Sequence, residues 1–571
     1  MLRQKKFSLA RKIIVFSIFL LTMGILAPLI IFYSMGYRFD LNKDIFVHSG
    51  TIVIKTNPAE VNIRLNNQDI SKASLDLINQ SLNINGLMPK KYDLEVTSPN
   101  HQTWKKQVDV HSGIATEYWS VVLPPNQVDE SVLLQKNVLN YSFSPDKKKL
   151  AYFVQSADSI SLFIREGGND YFIFKEDTNQ RFSPAEGELK WSPDNGKLIF
   201  SFKKDNQEKI LSVVADGVYD KIIPLGEIWA ENLILNSEEQ NKADIGQSKN
   251  KPSNSDYSNA NDLLLTTNYS WQDKDKIYFL INNNLYVQSF DTLLSWWKTK
   301  EQISSTTSDN QNNQNGNLKL KNSNQNSQKS SLQNFLLPDN AKPKEIKSAV
   351  LGFTFCDDLI CLVDQGSKAF KIINDEGTES DSASIPSEYP LSEKYQLFAY
   401  GKEYVTILDK EGNFFLWDKV QNKKNGSNDL KFLAPKVKGA YFSDDGKKLL
   451  FNTDKEVCVY FVKEWEVQPK HLLGDIETVY RQDTEIEKVQ WYADYQNVFI
   501  INNENIKFVE LDNRGGQNIF TFLQEKNLLN VNYDAPNKKL WFTKNSGGET
   551  QLIEVVFPVS KSLFSGLVSG G

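Results

Sequence analysis

Histidine is scarce in this sequence, with four residues among 571. They are scattered at His48, His101, His111 and His471, and none has a second ligand at the spacing of a metal site. The sequence also lacks a glycine-rich phosphate loop, an HExxH motif and a G-x-S-x-G nucleophile elbow. A histidine-based triad is therefore not expected. We expect no catalytic residue, no metal site and no cofactor, and hence a protein that is not an enzyme.

Cysteine is equally rare, and three residues exclude a disulfide-rich scaffold. Cys356 and Cys361 bracket two aspartates in FTFCDDLICLV, a pattern typical of a β-hairpin. The two could form a bridge in an oxidising compartment. We favour two unpaired buried thiols, because free cysteine packs well in cores. Cys458, in VCVYFV, is predicted to lie in a core.

An excess of positive charge is also missing. The net charge is -6, so neither nucleic acid nor anionic lipid is expected as a partner. The basic residues that do cluster lie near the N-terminus, and they are Arg3, Lys5, Lys6, Arg11 and Lys12.

A charge-free apolar run, IIVFSIFLLTMGILAPLIIFY, follows that basic cluster at Ile13–Tyr33. A helix of this length spans a bilayer core, so we predict a transmembrane anchor over residues 13–35. The positive-inside rule keeps the tail of residues 1–12 in the cytoplasm and delivers the bulk of the chain outside the cell membrane. The alternative is a signal peptide cleaved after Gly36, which would have an unusually long apolar region.

Short segments in which apolar and polar residues alternate follow a predicted stalk at residues 36–49. In VNIRL, for example, Val61, Ile63 and Leu65 alternate with polar residues after a proline turn. Five or six such strands predict a small antiparallel β-sandwich over residues 50–124. The stretch resembles the PEGA domain family at Gly50, Pro58, Val61, Leu65, Asn66, Gly86, Leu87, Pro89, Tyr92 and Trp104. It departs from that pattern at Lys90 and at Pro99–His101. The resemblance implies an extracytoplasmic β-module for envelope interactions, without catalysis.

The rest of the chain repeats one pattern: an aromatic strand, a turn with Asp or Pro-Asp, and a second apolar strand. YSFSPDKKKLAYF and LKWSPDNGKLIFSF are two clear copies. Spacings of about 50 residues between well-separated copies are typical of propeller blades. Copies begin at Tyr141, Leu189, Ser270, Leu351, Gln396, Gly439, Val489 and Val531. They predict a β-propeller over residues 128–558 with eight blades, or seven if the poor fifth copy is not one. A closed ring further predicts that a strand near Ser131–Leu134, or one at Gln551–Phe557 with its apolar run IEVVFP, completes a shared blade. They resemble TolB-like and WD40-like repeats, although Trp417–Asp418 is a single instance of the Trp-Asp ending.

Two polar, low-complexity stretches interrupt the repeats at residues 236–262 and 299–344. They bury too little apolar surface to order themselves, so we predict disordered surface insertions. Residues 559–571 are predicted to be a flexible tail.

Recurring aspartates and tryptophans are the remaining candidates for chemistry. The aspartates sit where turns need them, so a turn role is favoured over acid/base or metal chemistry. The tryptophans fall on strands, so core packing is favoured over a glycan-binding face. Trp296–Trp297 fits a core position and an exposed contact surface equally well. The aspartates are Asp146, Asp194, Asp273, Asp445 and Asp494, and the tryptophans are Trp191, Trp271, Trp491 and Trp541.

The sequence is consistent with two functions. The first is a membrane-anchored, extracytoplasmic binding or scaffold protein whose propeller engages an envelope protein or cell-wall glycan. The second is a propeller enzyme that acts on glycan through carboxylates in the central channel. A channel lined by apolar and amide groups would favour the first, and three or more converging Asp, Glu or Tyr side chains would favour the second.

Overall fold

The computed structural model describes residues 9–40, 44–70, 74–76, 81–177, 187–204, 207–233, 268–311, 336–526 and 528–557. Within these ranges an apolar N-terminal helix precedes a small β-sandwich and a β-propeller, so the predicted fold class is confirmed. The predicted insertion at 236–262 and the predicted tail at 559–571 lie outside the described residues.

Helix α1 (Leu9–Ser34) is long and apolar enough to cross a membrane, and none of its apolar face is buried in the rest of the protein. A hairpin of β1 (Tyr37–Asp40) and β2 (Ile45–His48) follows directly. Arg38 joins the two elements: its Nη1 donates to the carbonyl of Tyr33, and its guanidinium lies 3.7 Å from the centroid of that ring. The predicted stalk therefore carries regular structure that continues from the helix.

The sandwich consists of two four-stranded sheets, ordered β10-β3-β7-β6 and β5-β4-β8-β9. Alternating side chains such as Ile52, Ile54, Leu94 and Val96 point into its core and are at most 1% exposed. Its strands are β3 (Gly50–Asn57), β4 (Asn62–Leu65), β5 (Gln68–Asp69), β6 (Ser74–Asp76), β7 (Ser81–Leu87), β8 (Lys91–Thr97), β9 (Trp104–Asp109) and β10 (Ala115–Val122). Strands β9 and β10 lie at the edges of their sheets, and both face the propeller.

The propeller has eight four-stranded blades in the described residues, which settles the blade count at eight. Each of the eight sequence repeats begins on the first strand of one blade. Blades 1 to 4 are β12 (Val138–Phe143), β13 (Lys149–Gln155), β14 (Ser159–Glu166), β15 (Asn169–Asp177); β16 (Gly187–Trp191), β17 (Lys197–Lys204), β18 (Gln207–Val214), β19 (Ile222–Ile223); β20 (Tyr269–Trp271), β21 (Lys276–Ile281), β22 (Asn284–Ser289), β23 (Lys344–Lys347); and β24 (Val350–Cys356), β25 (Leu359–Asp364), β26 (Ala369–Ile373), β27 (Glu379–Ser384).

Blades 5 to 7 continue the pattern, and three strands at the end of the repeats begin blade 8. These strands are β28 (Tyr395–Tyr400), β29 (Tyr404–Asp409), β30 (Phe414–Asp418), β31 (Leu430–Ala434); β32 (Gly439–Phe442), β33 (Lys448–Asn452), β34 (Glu456–Phe461), β35 (Ile476–Arg481); β36 (Lys488–Trp491), β37 (Asn497–Ile501), β38 (Asn505–Glu510), β39 (Ile519–Gln524); and β40 (Leu529–Asp534), β41 (Lys539–Ser546), β42 (Glu549–Val556).

The ring closes through a shared blade. Strand β11 (Glu130–Leu134), which precedes the first repeat, pairs antiparallel with β42 and completes blade 8 in the order β11-β42-β41-β40. The register places Ser131 opposite Glu554 and Val132 opposite Ile553. The closure predicted from the repeats is therefore confirmed, and it leaves blade 8 without the open edge that an unclosed ring would expose.

The turn between the first two strands of a blade also ties that blade to the next one. In blade 1, Ser144 Oγ donates to Asp146 Oδ1 (2.7 Å) and accepts from the amide of Lys149 (3.0 Å). The ammonium of Lys149 then donates to the carbonyl of Asn195 in the corresponding turn of blade 2 (3.3 Å). The same arrangement recurs at Ser192–Lys197 and Ser443–Lys448. The repeated Ser-x-Asp-x-x-Lys pattern thus builds contacts between blades as well as turns.

The described part of the propeller contains three α-helices, α2 (225–233), α3 (Phe290–Gln311) and α4 (Lys419–Asn425). The predicted insertion at 299–344 overlaps the second half of α3, which extends through Gln311, and a short 3-10 helix at Asp339–Ala341, and β23 begins at Lys344. The first turns of α3 bury Leu293, and Trp296 and Trp297 pack half-buried against the core of blades 2 and 3. This packing fixes the N-terminal end of α3. Residues 312–335 lie outside the described range.

Cys356 and Cys361 form a disulfide, so the preference for two unpaired thiols was wrong. A tight turn at Asp357–Asp358 joins β24 to β25 and brings the two Cα atoms to 6.0 Å, within bridging distance. Both side chains are fully buried in the core of blades 4 and 5. Cys458 is free and buried, as predicted.

This pairing predicts a thiol count. Denatured but unreduced protein should take up one alkyl group, at Cys458, and reduced protein should take up three. Intact mass after iodoacetamide treatment measures both numbers. A Cys458→Ser control should take up none before reduction. Three adducts on unreduced protein isolated without reductant would contradict the bridge.

Candidate functional site at the sandwich–propeller junction

The recurring aspartates lie in the turns of their own blades. Asp146 accepts from Ser144 Oγ, and this hydrogen bond lowers the pKa of its carboxyl. Asp273 accepts from two backbone amides of its turn, and Asp194 and Asp445 accept from the turn serines in the same way as Asp146. Asp494 accepts from the amides of Gln496 and Asn497, and in addition it lines a pocket described below. The turn role favoured from the sequence is confirmed.

The recurring tryptophans lie in the blade cores, as favoured from the sequence. Three of them also link neighbouring blades, because each indole donates to a main-chain carbonyl on the first strand of the preceding blade. These bonds are Trp191 to Ser142 (3.1 Å), Trp271 to Lys190 (3.2 Å) and Trp491 to Tyr441 (2.9 Å). Trp541 donates instead to Glu554 within blade 8 (2.9 Å).

His471 and His101 make local contacts in their own parts of the fold. His471 stacks on Phe461 with ring centroids 3.9 Å apart, and burial lowers the pKa of its imidazole. His101 lies in a turn, with Nδ1 2.7 Å from the carbonyl of Pro99. Among the described residues, no group of three or more His, Cys, Asp or Glu side chains could hold a metal ion.

An inner cavity of about 620 Å³ opens between the first strands of blades 2 to 5. The first strands of neighbouring blades contact one another, so they surround the propeller axis. Two acids line this cavity, and both have partners: Glu188 lies 2.9 Å from Lys190 Nζ, and Asp409 accepts from the amide and the side chain of Asn413. Two tyrosines, Tyr269 and Tyr395, also line the cavity, and the Oη of Tyr395 accepts from the amide of Ser392 (3.0 Å). Four acidic or phenolic residues therefore lie on its wall, and both acids are engaged by neighbours.

Amide and lysine side chains bridge adjacent first strands around the axis. Asn140 donates to the carbonyl of Gly187 (2.7 Å), and Lys190 donates to the carbonyl of Tyr269 (2.9 Å). On the other side of the ring, Gln490 donates to Asn532 (3.1 Å). Amide groups thus line part of the channel, beside the acidic and phenolic residues of the inner cavity.

The sandwich is fastened to blade 7 along the edge of β9. The side chain of Asn518 accepts from the amide of Lys105 (3.0 Å) and donates to its carbonyl (3.1 Å). The amide of Gln107 donates to the carbonyl of Gly515 (2.8 Å). Propeller residues therefore supply the hydrogen bonds that an open strand edge would otherwise leave to water.

Trp104 is the centre of this contact. It is 1% exposed, and its Nε1 lies 3.2 Å from Glu510 Oε2 at the end of β38. Glu510 also accepts from Asn518 and pairs with Lys106 at 3.2 Å, where both side chains are almost fully buried. Burial raises the pKa of Glu510, because its charged form is removed from water. A single apolar core runs from the sandwich into blades 7 and 8 around this polar cluster.

Strand β10 is held at its own edge by two long side chains. Gln468 donates to the carbonyl of Ala115 (3.0 Å) and accepts from the amide of Glu117 (3.2 Å). Arg514 donates to the carbonyl of Glu117 (2.8 Å), and its guanidinium lies 4.7 Å from the ring centroid of Tyr118. A loop of blade 6 and a loop of blade 7 thus meet the sandwich on the same strand.

A concave site of about 280 Å³ lies where these three parts meet, and we call it the junction pocket. Its lining combines aromatic, amide and carboxylate groups. The residues are Tyr118, Trp119, Ser120 and Val121 of the sandwich, Trp465, Val467, Gln468 and Pro469 of blade 6, and Asp494, Gln496, Glu510 and Asp512 of blade 7. Neither domain alone forms this site.

Sequence reasoning named one junction-pocket residue, Asp494, and assigned it to a turn. Trp104 was recognised through the PEGA resemblance and not as an interdomain contact. The remaining residues lie far apart in the sequence and share no regular spacing, so no sequence motif marks them as one site.

Comparisons with known proteins bear on the propeller. No protein-family model and no curated protein matches this chain. The C-terminal WD40 domain of Sif2 is 10% identical with a TM-score of 0.40, over 75% of this chain and 99% of that chain. The β-propeller domain of Myceliophteria thermophila Cps50 (Swd1) is 9% identical with a TM-score of 0.34, over 75% and 100%. The dihydro-heme d1 dehydrogenase NirN is 10% identical with a TM-score of 0.37, over 68% and 66%. Likenesses at these identities and TM-scores carry no conclusion about this chain.

Proposed function

We propose that the protein is a non-enzymatic, single-pass membrane protein whose sandwich and propeller form a binding platform outside the cytoplasm. Its partner is another envelope protein or cell-wall glycan. The sandwich would be a PEGA-like module and the propeller a TolB-like one. The observation that carries the proposal is the buried contact of Trp104, Lys106 and Glu510, because it joins two β-domains into one surface without bringing catalytic groups together.

Several features support the anchored topology. Helix α1 is long enough to span a bilayer, and basic residues precede its apolar part. Aromatic rings gather where the helix ends: Phe32 lies 5.6 Å from Tyr37 and 5.9 Å from Phe46 between ring centroids. Tyrosine and other aromatic side chains are typical of the membrane–water interface. The Cys356–Cys361 bridge is also typical of an oxidising compartment outside the cytoplasm.

Two tyrosines, Tyr269 and Tyr395, line the inner cavity together with two acids. The engagement of both acids by neighbouring side chains favours a platform over a glycan-cleaving enzyme. Hydrolysis of glycosides generally needs two carboxyl groups on opposite sides of the scissile bond, one of them acting as an acid. Glu188 and Asp409 line the cavity, but Lys190 and Asn413 already engage them. Such engaged acids suit a structural role.

Topology gives the first test. A phosphatase reporter fused after Gly571 should be active, and protease added to intact spheroplasts should remove nearly all of the mass. Both results follow from an anchor with its N-terminus inside. A matched fusion after Lys12 should be inactive. Full protection of the chain in intact spheroplasts would contradict the orientation.

Binding without turnover gives the second test. Full-length protein in nanodiscs is incubated with isolated cell-wall glycan, and co-sedimentation and the release of reducing ends are measured together. A glycan-binding platform predicts retention of the glycan on the ectodomain without new reducing ends. A platform for an envelope protein predicts neither retention of the glycan nor new reducing ends. Steady release of reducing ends that is lost in Glu188→Gln would favour the enzyme.

A further inference from the structure

We propose that the junction pocket binds a neutral sugar ring of an extracellular glycan chain. The inference rests on the proposed platform function and deepens it, because it names the site and the ligand class. It is independent of the inner cavity at the propeller axis.

The aromatic wall of the pocket comes from two domains. Trp119 of β10 is partly exposed, and its Nε1 donates to Glu117 (2.9 Å), so the edge of the ring is fixed. Trp465, Val467 and Pro469 of blade 6 form further apolar lining. A sugar ring has an apolar face of C–H groups that packs against flat aromatic surfaces, and rigid aromatic side chains contribute such surface at low entropic cost.

The polar lining consists of groups that suit hydroxyl groups. Asp494, Glu510 and Asp512 offer carboxylate oxygens, and Gln468 and Gln496 offer amides. Ligand sites commonly combine an apolar wall with a few convergent polar groups of this kind. A ring of hydroxyl groups can donate to the carboxylates and both donate to and accept from the amides.

The charges of the pocket argue against an ionic ligand. Glu510 is paired with Lys106, and Asp512 is paired with Arg514 at 2.6 Å. Asp494 accepts three hydrogen bonds from Gln496 and Asn497. An anionic ligand would meet three carboxyl groups, so a phosphate or a carboxylate is disfavoured.

A cationic ligand is disfavoured for a different reason. Cations of the protein already lie over two of the three aromatic rings: the ammonium of Lys448 lies 3.9 Å from the Trp465 centroid, and the guanidinium of Arg514 lies 4.7 Å from that of Tyr118. Trp119 is the ring on which a sugar would stack. An added ammonium group would meet these like charges. A neutral, hydroxyl-rich ligand with one apolar face satisfies both walls of the pocket.

The test uses the full chain in phospholipid nanodiscs, so that no sugar-headed detergent competes. The probes are soluble tetrasaccharides of N-acetylglucosamine and of glucose, and calorimetry measures their dissociation constants. At least one probe should bind. Trp119→Ala should raise its dissociation constant by about tenfold or more, whereas Trp119→Phe should retain most of the affinity. Trp297→Ala, a half-buried tryptophan on α3, is the matched control and should bind like the parent chain.

Val467→Lys decides the case if Trp119→Ala fails to fold. Val467 is 40% exposed, so the substitution should leave the melting temperature unchanged while the lysine occupies the mouth of the pocket. Loss of binding in this variant supports the proposal. Unchanged binding in Val467→Lys, or no binding of either probe to the parent chain, overturns it. Neither of those results affects the topology test, so the platform itself would stand with a different site or with a protein partner.

Discussion

Removal of Gln551–Gly571 is expected to convert the monomeric ectodomain into aggregates. The truncation deletes most of β42, which lies between β11 and β41 and closes the ring. Both neighbours would then expose unpaired main-chain groups, which are templates for pairing with other chains. The deletion also removes Phe557, whose ring packs at 4.7 Å from Phe522 and at 5.5 Å from Phe499. Loss of one such buried phenylalanine alone costs about 3–5 kcal/mol.

A shorter truncation, of residues 560–571, is the matched control and should leave the protein monomeric with unchanged melting. Size-exclusion chromatography with light scattering and a thermal melt measure both variants. A monomeric longer truncation with parental melting would contradict ring closure, and an open sandwich or separate β-domains would replace it.

Replacement of Gly515 by alanine is expected to detach the sandwich from the propeller. Gly515 has φ +63°, and a Cβ at this position would lie 1.9 Å from the carbonyl oxygen of Gln107 on β9. The clash is with main-chain atoms, so neither a rotamer change nor a small side-chain shift relieves it. We expect a cost of about 2 kcal/mol or more, combined from the strain and the lost contacts.

Gly547→Ala separates the clash from the effect of the backbone angle. Gly547 has nearly the same angle, φ +64°, but no atom within 4 Å of an added Cβ. The stability of Gly547→Ala should fall only by the smaller cost of holding alanine in the left-handed conformation. Thermal melting and limited proteolysis between residues 124 and 128 should report a second transition and a new cut in Gly515→Ala alone. Parental behaviour of Gly515→Ala would show that the junction is not as close as described.

The propeller could be predicted from sequence because its signal is local and repeated. Each blade begins with an aromatic strand, and three of them add the Ser-x-Asp turn with its lysine, so eight weak signals reinforce one another. The shared blade followed from the same repeats, since IEVVFP reads as a strand and the segment near Ser131 was left without a partner. Turn roles for the aspartates followed from the local chemistry of carboxylates and backbone amides.

The junction could not be predicted because its contacts join distant parts of the chain. Trp104 and Glu510 are 406 residues apart, and neither has a sequence neighbourhood that marks the other. The disulfide was missed for a related reason: buried cysteines pack equally well free or paired, and the turn geometry decides between the two. Helix α3 was missed because its polar C-terminal half resembles the low-complexity segment that follows, whereas its start is fixed by tertiary packing of Leu293 and the two tryptophans.

The fixed position of the sandwich on the propeller creates a surface built from both domains. If the sandwich moved freely, Tyr118 and Trp119 would not be held against Trp465 and Asp494, and the junction pocket would not exist. The buried Lys106–Glu510 pair and the Gln468 and Arg514 side chains fix the orientation as well as the contact, because directional hydrogen bonds are satisfied in one arrangement.

Hydrogen exchange of the full-length protein tests this docking most directly. Strand β9 is the edge of its sheet, so the amides of Lys105 and Gln107 receive no strand partner and are bonded only by Asn518 and Gly515 of the propeller. Docking predicts that both amides exchange as slowly as the paired amides of β8, and that Gly515→Ala accelerates them while Gly547→Ala does not. Exchange of Lys105 and Gln107 in the parent protein at the rate of an open strand edge would contradict the account.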